Sequence, residues 1–180
     1  SSTWYDTGQI ESEENFLEDK YDGDYTVWYE NGQIEIAKTY KNGKLEGKSS
    51  SWYKSGQLWQ EVNFIEDKED GKLIVWYEDG KINSEANFKD GKRNGKFTVW
   101  LEDGRIDNES IFKDAQKVSS SVWSYNDKNQ PLLKKNFKDG VLISQTEYLH
   151  NDNGMIEIHS SYKNGECISN SGGCLANLDF

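Results

Sequence analysis

The sequence predicts an all-β fold: an elongated, single-layer antiparallel β-meander built from about seven 24-residue β-hairpin repeats. Three observations predict it. Trp4, Trp28, Trp52, Trp76 and Trp100 are spaced by 24 residues without a slip, and a fixed period of this size marks an array of stacked units. A glycine follows each of these tryptophans by four residues (Gly8, Gly32, Gly56, Gly80, Gly104) and an aromatic by twelve (Phe16, Tyr40, Phe64, Phe88, Phe112). Between the turn formers ENG, EDG, KNG and KDG run stretches rich in Val, Ile, Thr, Tyr and Trp, which is the chemistry of strands and tight hairpins. No apolar face keeps a 3.6 period for three turns, so no long helix is expected.

Two turns per period give two strands per unit, about fourteen in all. Trp123 follows Trp100 after 23 residues, and Tyr148 takes the same place after a further 25. In these last two units the turn reads as longer by two residues, as in WSYNDKNQP, and Phe137 and Tyr162 restore the register. The units run from Trp4 to about Ile168, in a single array over residues 1–180 with 167–180 as a C-terminal cap or tail.

The pleat then assigns faces. With Asn31-Gly32 as a two-residue turn, Glu30 pairs with Gln33, Tyr29 with Ile34 and Trp28 with Glu35. Alternation puts Tyr25, Val27, Tyr29, Ile34, Ile36 and Tyr40 on one face, continued by Leu58, Val62, Leu73, Ile82, Ala86 and Phe88. Opposite lie Thr26, Trp28, Glu30, Gln33, Glu35 and Thr39. The expectation is a continuous apolar face, buried with the help of neighbouring units at roughly 1.5–3 kcal/mol per large side chain. The tryptophans form a ladder on the more polar side, with rungs roughly 9–10 Å apart. Gly23, Gly47, Gly71 and Gly95, each five residues before a Trp, mark a bulge that lets the sheet bend around the rings of the adjoining strand.

Composition narrows the class. Hydrophobic residues make up 34% of the 180 and aromatics 13%; the mean hydropathy of -0.94 would suit a disordered chain, but disordered segments avoid aromatics, so the chain is expected to fold. A net charge of -11 repels phosphate backbones and anionic membranes, which excludes nonspecific nucleic-acid binding. No apolar run approaches the ~18 residues of a membrane-crossing helix. The chain begins at Ser1 and its only Met is Met155, so the natural protein is expected to start upstream.

Candidate chemistry is sparse. His150 and His159 have no local cluster of ligands and read as surface residues rather than a metal pair. No carboxylate pair stands out, and the serine runs Ser49–Ser51 and Ser119–Ser121 lack a nucleophile elbow. No catalytic residue, metal or cofactor is expected, nor enzyme activity. Cys167 and Cys174, in CISNSGGC, close a disulfide in an exported protein, worth roughly 2–3 kcal/mol to that loop; in cytosol they are free thiols. The disulfide reading favours export or the cell envelope over the cytoplasm.

The pattern [WY]-Y-x-[ND/S]-G-x-[IL], followed by [FY]-K-[DN]-G-K-x-x-G, resembles the MORN repeat, and more closely the bacterial variant of the YwqK-type antitoxin family. Seven units in one register carry the resemblance. It departs where Asp19, Asp67 and Ala115 replace the turn glycine. What it implies is an elongated hairpin array acting in binding, sometimes alongside toxins. MORN repeats accompany lipid-kinase domains elsewhere, but this chain has no GxGxxG, VAIK, HRD or DFG.

The expected function is a non-enzymatic protein-binding module, antitoxin- or immunity-like, with Trp28, Trp52, Trp76 and Trp100 as its binding residues. Two alternatives stand beside it: an exported or surface glycan-binding protein, whose tryptophans stack on sugar rings, and a structural spacer. The bland reading of the ladder is structural, rings lying across neighbouring strands and stiffening the sheet.

Overall fold

The computed structural model describes residues 1–151, 154–163 and 166–170. Among these there are strands and turns and no helix. The strands are β1 (Ser2–Trp4), β2 (Ile10–Leu17), β3 (Lys20–Trp28), β4 (Ile34–Lys41), β5 (Lys44–Leu45), β6 (Gly47–Trp52), β7 (Leu58–Ile65), β8 (Lys68–Trp76), β9 (Ile82–Lys89), β10 (Lys92–Arg93), β11 (Gly95–Trp100), β12 (Ile106–Lys113), β13 (Gln116–Tyr125), β14 (Pro131–Lys138), β15 (Val141–Asn151), β16 (Gly154–Lys163) and β17 (Glu166–Asn170). Each pairs antiparallel with its neighbour in sequence, from β1–β2 to β16–β17. The short β5 and β10 both pair with the strand that β6 and β11 also pair with. They are therefore the leading ends of those two strands, and the meander is one sheet of hairpins, as expected.

Among the described residues two kinds of turn alternate, one kind on each edge. On the tight-turn edge, Asn42 and Gly43 take φ of 51° and 82° between the paired Lys41 and Lys44. This is the two-residue hairpin whose twist matches the strands. On the other edge the expectation is corrected. Gly32 N–H donates to the Tyr29 carbonyl and Tyr29 N–H to the Gln33 carbonyl, both at 2.8 Å, so the loop holds three residues and only Gly32 has positive φ. The body of the strand keeps the expected register (Val27↔Ile36, Thr26↔Ala37), but the last pair slips to Trp28↔Ile34. Asn31 and Gly32 read as a two-residue turn because that dipeptide suits both loops; the extra residue is absorbed by a bulge at Glu35.

The slip moves side chains between faces. Cross-strand partners share a face, so Ile34, Leu58 and Ile82 join Trp28, Trp52 and Trp76 and leave the face expected of them. The remaining face is not continuously apolar either, since Ser51, Gln60 and Ser84 lie in the row of Val27, Ile36 and Val75. Of the described apolar side chains only Val62 and Ala86 are buried, beside small polar residues such as Ser50, Thr98 and Ser110. A single layer has no second sheet to close over its rings, so the large side chains stay half-buried.

The strand glycines act as expected. Tyr21 and Tyr25 pair with Phe16 and Glu14, so three residues around Gly23 oppose Asn15 alone. Gly23, Gly47, Gly71 and Gly95 all have positive φ, and opposite them stand the rings of Tyr40, Phe64, Phe88 and Phe112. The Trp123 unit drops the glycine: a single extra residue, Val118, lies between Lys117 and Ser119 there. That deletion accounts for the spacing of 23. Its turn is not longer, however. Asn129 N–H donates to the Asn126 carbonyl at 2.9 Å with Asn129 at φ 63°, the same loop as at Gly32, so the two added residues, Ser124 and Tyr125, extend β13 beyond Trp123 while β14 keeps the eight residues of β4.

Candidate partner-binding surface

The dipeptide Trp-Tyr occurs in the first four units, and the structure gives its tyrosine a task that sequence reasoning missed. The hydroxyls of Tyr5, Tyr29, Tyr53 and Tyr77 donate to the carbonyls of Trp28, Trp52, Trp76 and Trp100 at 2.7–2.8 Å. Each unit is thereby tied to the next at the wide-turn edge. Burial raises the pKa of the Tyr29 and Tyr53 hydroxyls, with Glu35 and Glu78 adding to the effect, which keeps them protonated as donors. Repetition of Tyr directly after Trp was the available signal. On the opposite edge the acids Asp22, Glu46 and Asp70 accept the N–H of Asn42, Glu66 and Asp90 in the following unit.

The tyrosine ties link successive units along the wide-turn edge, and on it the Trp side chains form a row. Trp4↔Ile10, Trp28↔Ile34, Trp52↔Leu58, Trp76↔Ile82 and Trp100↔Ile106 are cross-strand pairs. Five hairpins therefore carry a Trp–aliphatic stripe, roughly 40 Å long at two strand spacings per unit. The expected binding residues Trp28, Trp52, Trp76 and Trp100 do fall in one line. They are half-buried rather than fully exposed, whereas Trp4 and Trp59 are 60% and 44% exposed and Ile34 and Ile82 are 38% and 36%. The aliphatic partners, six residues after each Trp, are the part of the stripe that the two-residue turn had hidden.

Next to the stripe, towards the sheet centre, runs a Lys–Glu ladder: Lys48–Glu61 at 2.9 Å, Lys72–Glu85 at 3.2 Å and Lys96–Glu109. Within the wide turns Lys81 and Arg105 hydrogen-bond Asp79 and Asp103 and hold those carboxyls below their ordinary range. Beyond Trp100 the arrangement changes. Leu101 replaces the tyrosine, and Tyr125 instead reaches back to the Ile106 carbonyl at 2.6 Å under the Arg105 guanidinium. Trp123 stacks with Tyr148 at 6.3 Å and carries Lys134 over its ring at 4.5 Å.

The remaining candidates are simply placed. His150 Nε2 lies 2.7 Å from the Pro131 carbonyl and His159 Nδ1 lies 3.0 Å from the Thr146 hydroxyl. Among the described residues no group of three or more His, Cys, Asp or Glu could hold a metal, and no helix is long and apolar enough to cross a membrane. Ser119–Ser121 line a shallow depression with Lys96 and Glu109. Cys167 is half-buried on β17, while Cys174 lies outside the described residues, as does the tail from 171 to 180.

No curated protein matches the chain. Among solved structures, one chain of the crystal structure of the GtfA/B complex bound to UDP and GlcNAc is similar at 10% identity and a TM-score of 0.28, over 77% of this chain and 26% of that one. A chain of the crystal structure of TcdB2-TccC3-Cdc42 is similar at 12% identity and a TM-score of 0.32, over 89% and 10%. This chain thus spans about a quarter and a tenth of their lengths. The MORN repeat variant model matches residues 1–18, 21–42, 45–66 and 69–90, four successive hairpin units of the array described above. MORN repeats are in general binding modules for proteins or membranes. Within residues 1–90 the chain thus carries four MORN repeat variant units.

Proposed function

We propose that the chain is a non-enzymatic protein-binding module, of the antitoxin or immunity type, that engages its partner along the Trp–aliphatic stripe. The observation that carries this reading is the stripe itself: the same Trp–aliphatic pair recurs in five hairpins on one edge. Apolar surface rimmed by polar groups is the usual site of association, and Trp is enriched among residues that dominate binding energy. A single-layer sheet presents such a row on its open face, which suits a protein surface better than a small substrate. Glycan stacking on the tryptophans is the second reading, favoured by the even spacing of the rings.

Affinity capture from native cells, with this chain as bait, tests the proposal. Wild type should retain a specific protein that Trp52→Ala/Trp76→Ala loses while the circular dichroism spectrum is kept. The gentler pair Ile34→Ser/Ile82→Ser, at exposed positions, should weaken the same capture. Retention of the partner by both folded variants would overturn the assignment of the stripe.

A further inference from the structure

The charges around the stripe differ from those of the Lys–Glu ladder at mid-sheet. Mid-sheet acids are matched: Glu61, Glu85 and Glu109 each have a lysine partner. Along the stripe only Asp79 and Asp103 are matched, by Lys81 and Arg105 within their own turns. Among the described residues, no Lys or Arg reaches ion-pair distance of Asp6, Glu30 or Glu78 in the wide turns, or of Glu11 and Glu35 beside them. Glu11 and Glu35 are half-buried, so their charge is only partly hydrated and acts more strongly on a neighbour than a fully solvated one. Their field is visible in the molecule: after burial, Glu11, Glu35 and Glu30 are what raise the Tyr5 hydroxyl.

The chain's own cations show what such rings accept. Lys38 lies over Tyr25 and Tyr40, Arg93 over Phe97 and Phe112, and Lys134 over Trp123. Among the described residues none lies over Trp28, Trp52 or Trp76. The stripe therefore offers apolar surface, aromatic faces without a cation and carboxylates without a counter-charge, all on one edge.

We propose that the occupant of the stripe is a basic, extended segment of another protein, with its Lys and Arg side chains on these carboxylates and rings and its apolar side chains on the Trp–aliphatic pairs. The proposal rests on the stripe being the partner-binding surface and specifies the partner's chemistry. Cation–π contact and charge pairing then act together on alternate residues of the segment. A segment of about twelve extended residues spans the stripe at ~3.3 Å each.

The test uses the whole chain and three synthetic peptides of about that length, alternating Leu with Lys, with Glu or with Ser, followed by tryptophan fluorescence and calorimetry. The Lys peptide should bind, the Glu peptide should not, and affinity should fall about tenfold or more between about 0.05 M and about 0.3 M salt. Glu30→Gln/Glu35→Gln/Glu78→Gln should weaken the Lys peptide about tenfold. A matched triple on the tight-turn edge, Asp90→Asn/Asp114→Asn/Asp139→Asn, changes the net charge equally and should leave affinity within about twofold. Equal losses from both triples would reduce the effect to net charge and overturn the proposal, as would a Lys peptide that binds no better than the Glu or Ser peptide. A native partner lost by Trp52→Ala/Trp76→Ala but held unchanged by the glutamine triple would leave the stripe standing and remove its basic occupant. Lys-peptide binding untouched by the Trp variant would remove the stripe itself.

Discussion

At the scale of the residue, two positions show how a repeat tolerates substitution. Tyr53 donates its hydroxyl to the Trp76 carbonyl at 2.8 Å, and Phe at this place would keep the ring and lose the tie. Tyr53→Phe should therefore lower stability by about 0.5–1.5 kcal/mol in chemical denaturation, with the slope unchanged. Ala115 occupies a turn position at φ 68°, where a Cβ meets the following carbonyl at a cost of roughly 1–2 kcal/mol. Ala115→Gly should stabilise the chain by a few tenths to about 1 kcal/mol, the gain being reduced by the greater freedom of glycine in the unfolded state. The same change at Asp67 should gain less, because its carboxylate accepts the Leu45 N–H at 2.7 Å. A departure from the repeat pattern is thus strain at one unit and an inter-unit contact at another.

At the scale of the element, the hairpin and its bulges decide what the surface presents. The alternation of strands and turns, the tight-turn hairpins and the bulged glycines were legible because each depends on local residue chemistry: Asn-Gly and Asp-Gly at positive φ, and a glycine facing a ring. The three-residue loop at Tyr29–Gln33 was not, since Asn-Gly serves both loops and only the hydrogen bonds tell them apart. That one-residue difference sent Ile34, Leu58 and Ile82 to the wrong face and concealed half of the candidate surface. The Trp row itself was readable from period alone; its tyrosine ties needed the register. Gly71 tests the bulge directly. A Cβ there would meet nothing within 4 Å, yet φ is 96°, so the cost of a side chain is conformational. Gly71→Ala should destabilise by about 1–2 kcal/mol, read as a lowered denaturation midpoint.

At the scale of the whole molecule, the chain forms a sheet with almost no buried apolar core, and the neighbouring units hold one another. Ties at both edges, ring against glycine within the sheet and Lys–Glu pairs across it recur with the period, so each unit's stability depends mainly on its neighbours. The expectation of a continuous buried face relied on neighbouring units to cover one another's side chains; Val62 and Ala86 are the buried apolar residues among those described. What replaces the core is length. Small-angle scattering of the monomer tests that claim most directly. Fifteen strand widths at ~4.8 Å, with strands of about eight residues, predict a radius of gyration of roughly 20–22 Å and a distance distribution tailing to about 70 Å. A value near 16 Å with a symmetric distribution, as expected of a compact globule of this length, would contradict the open array.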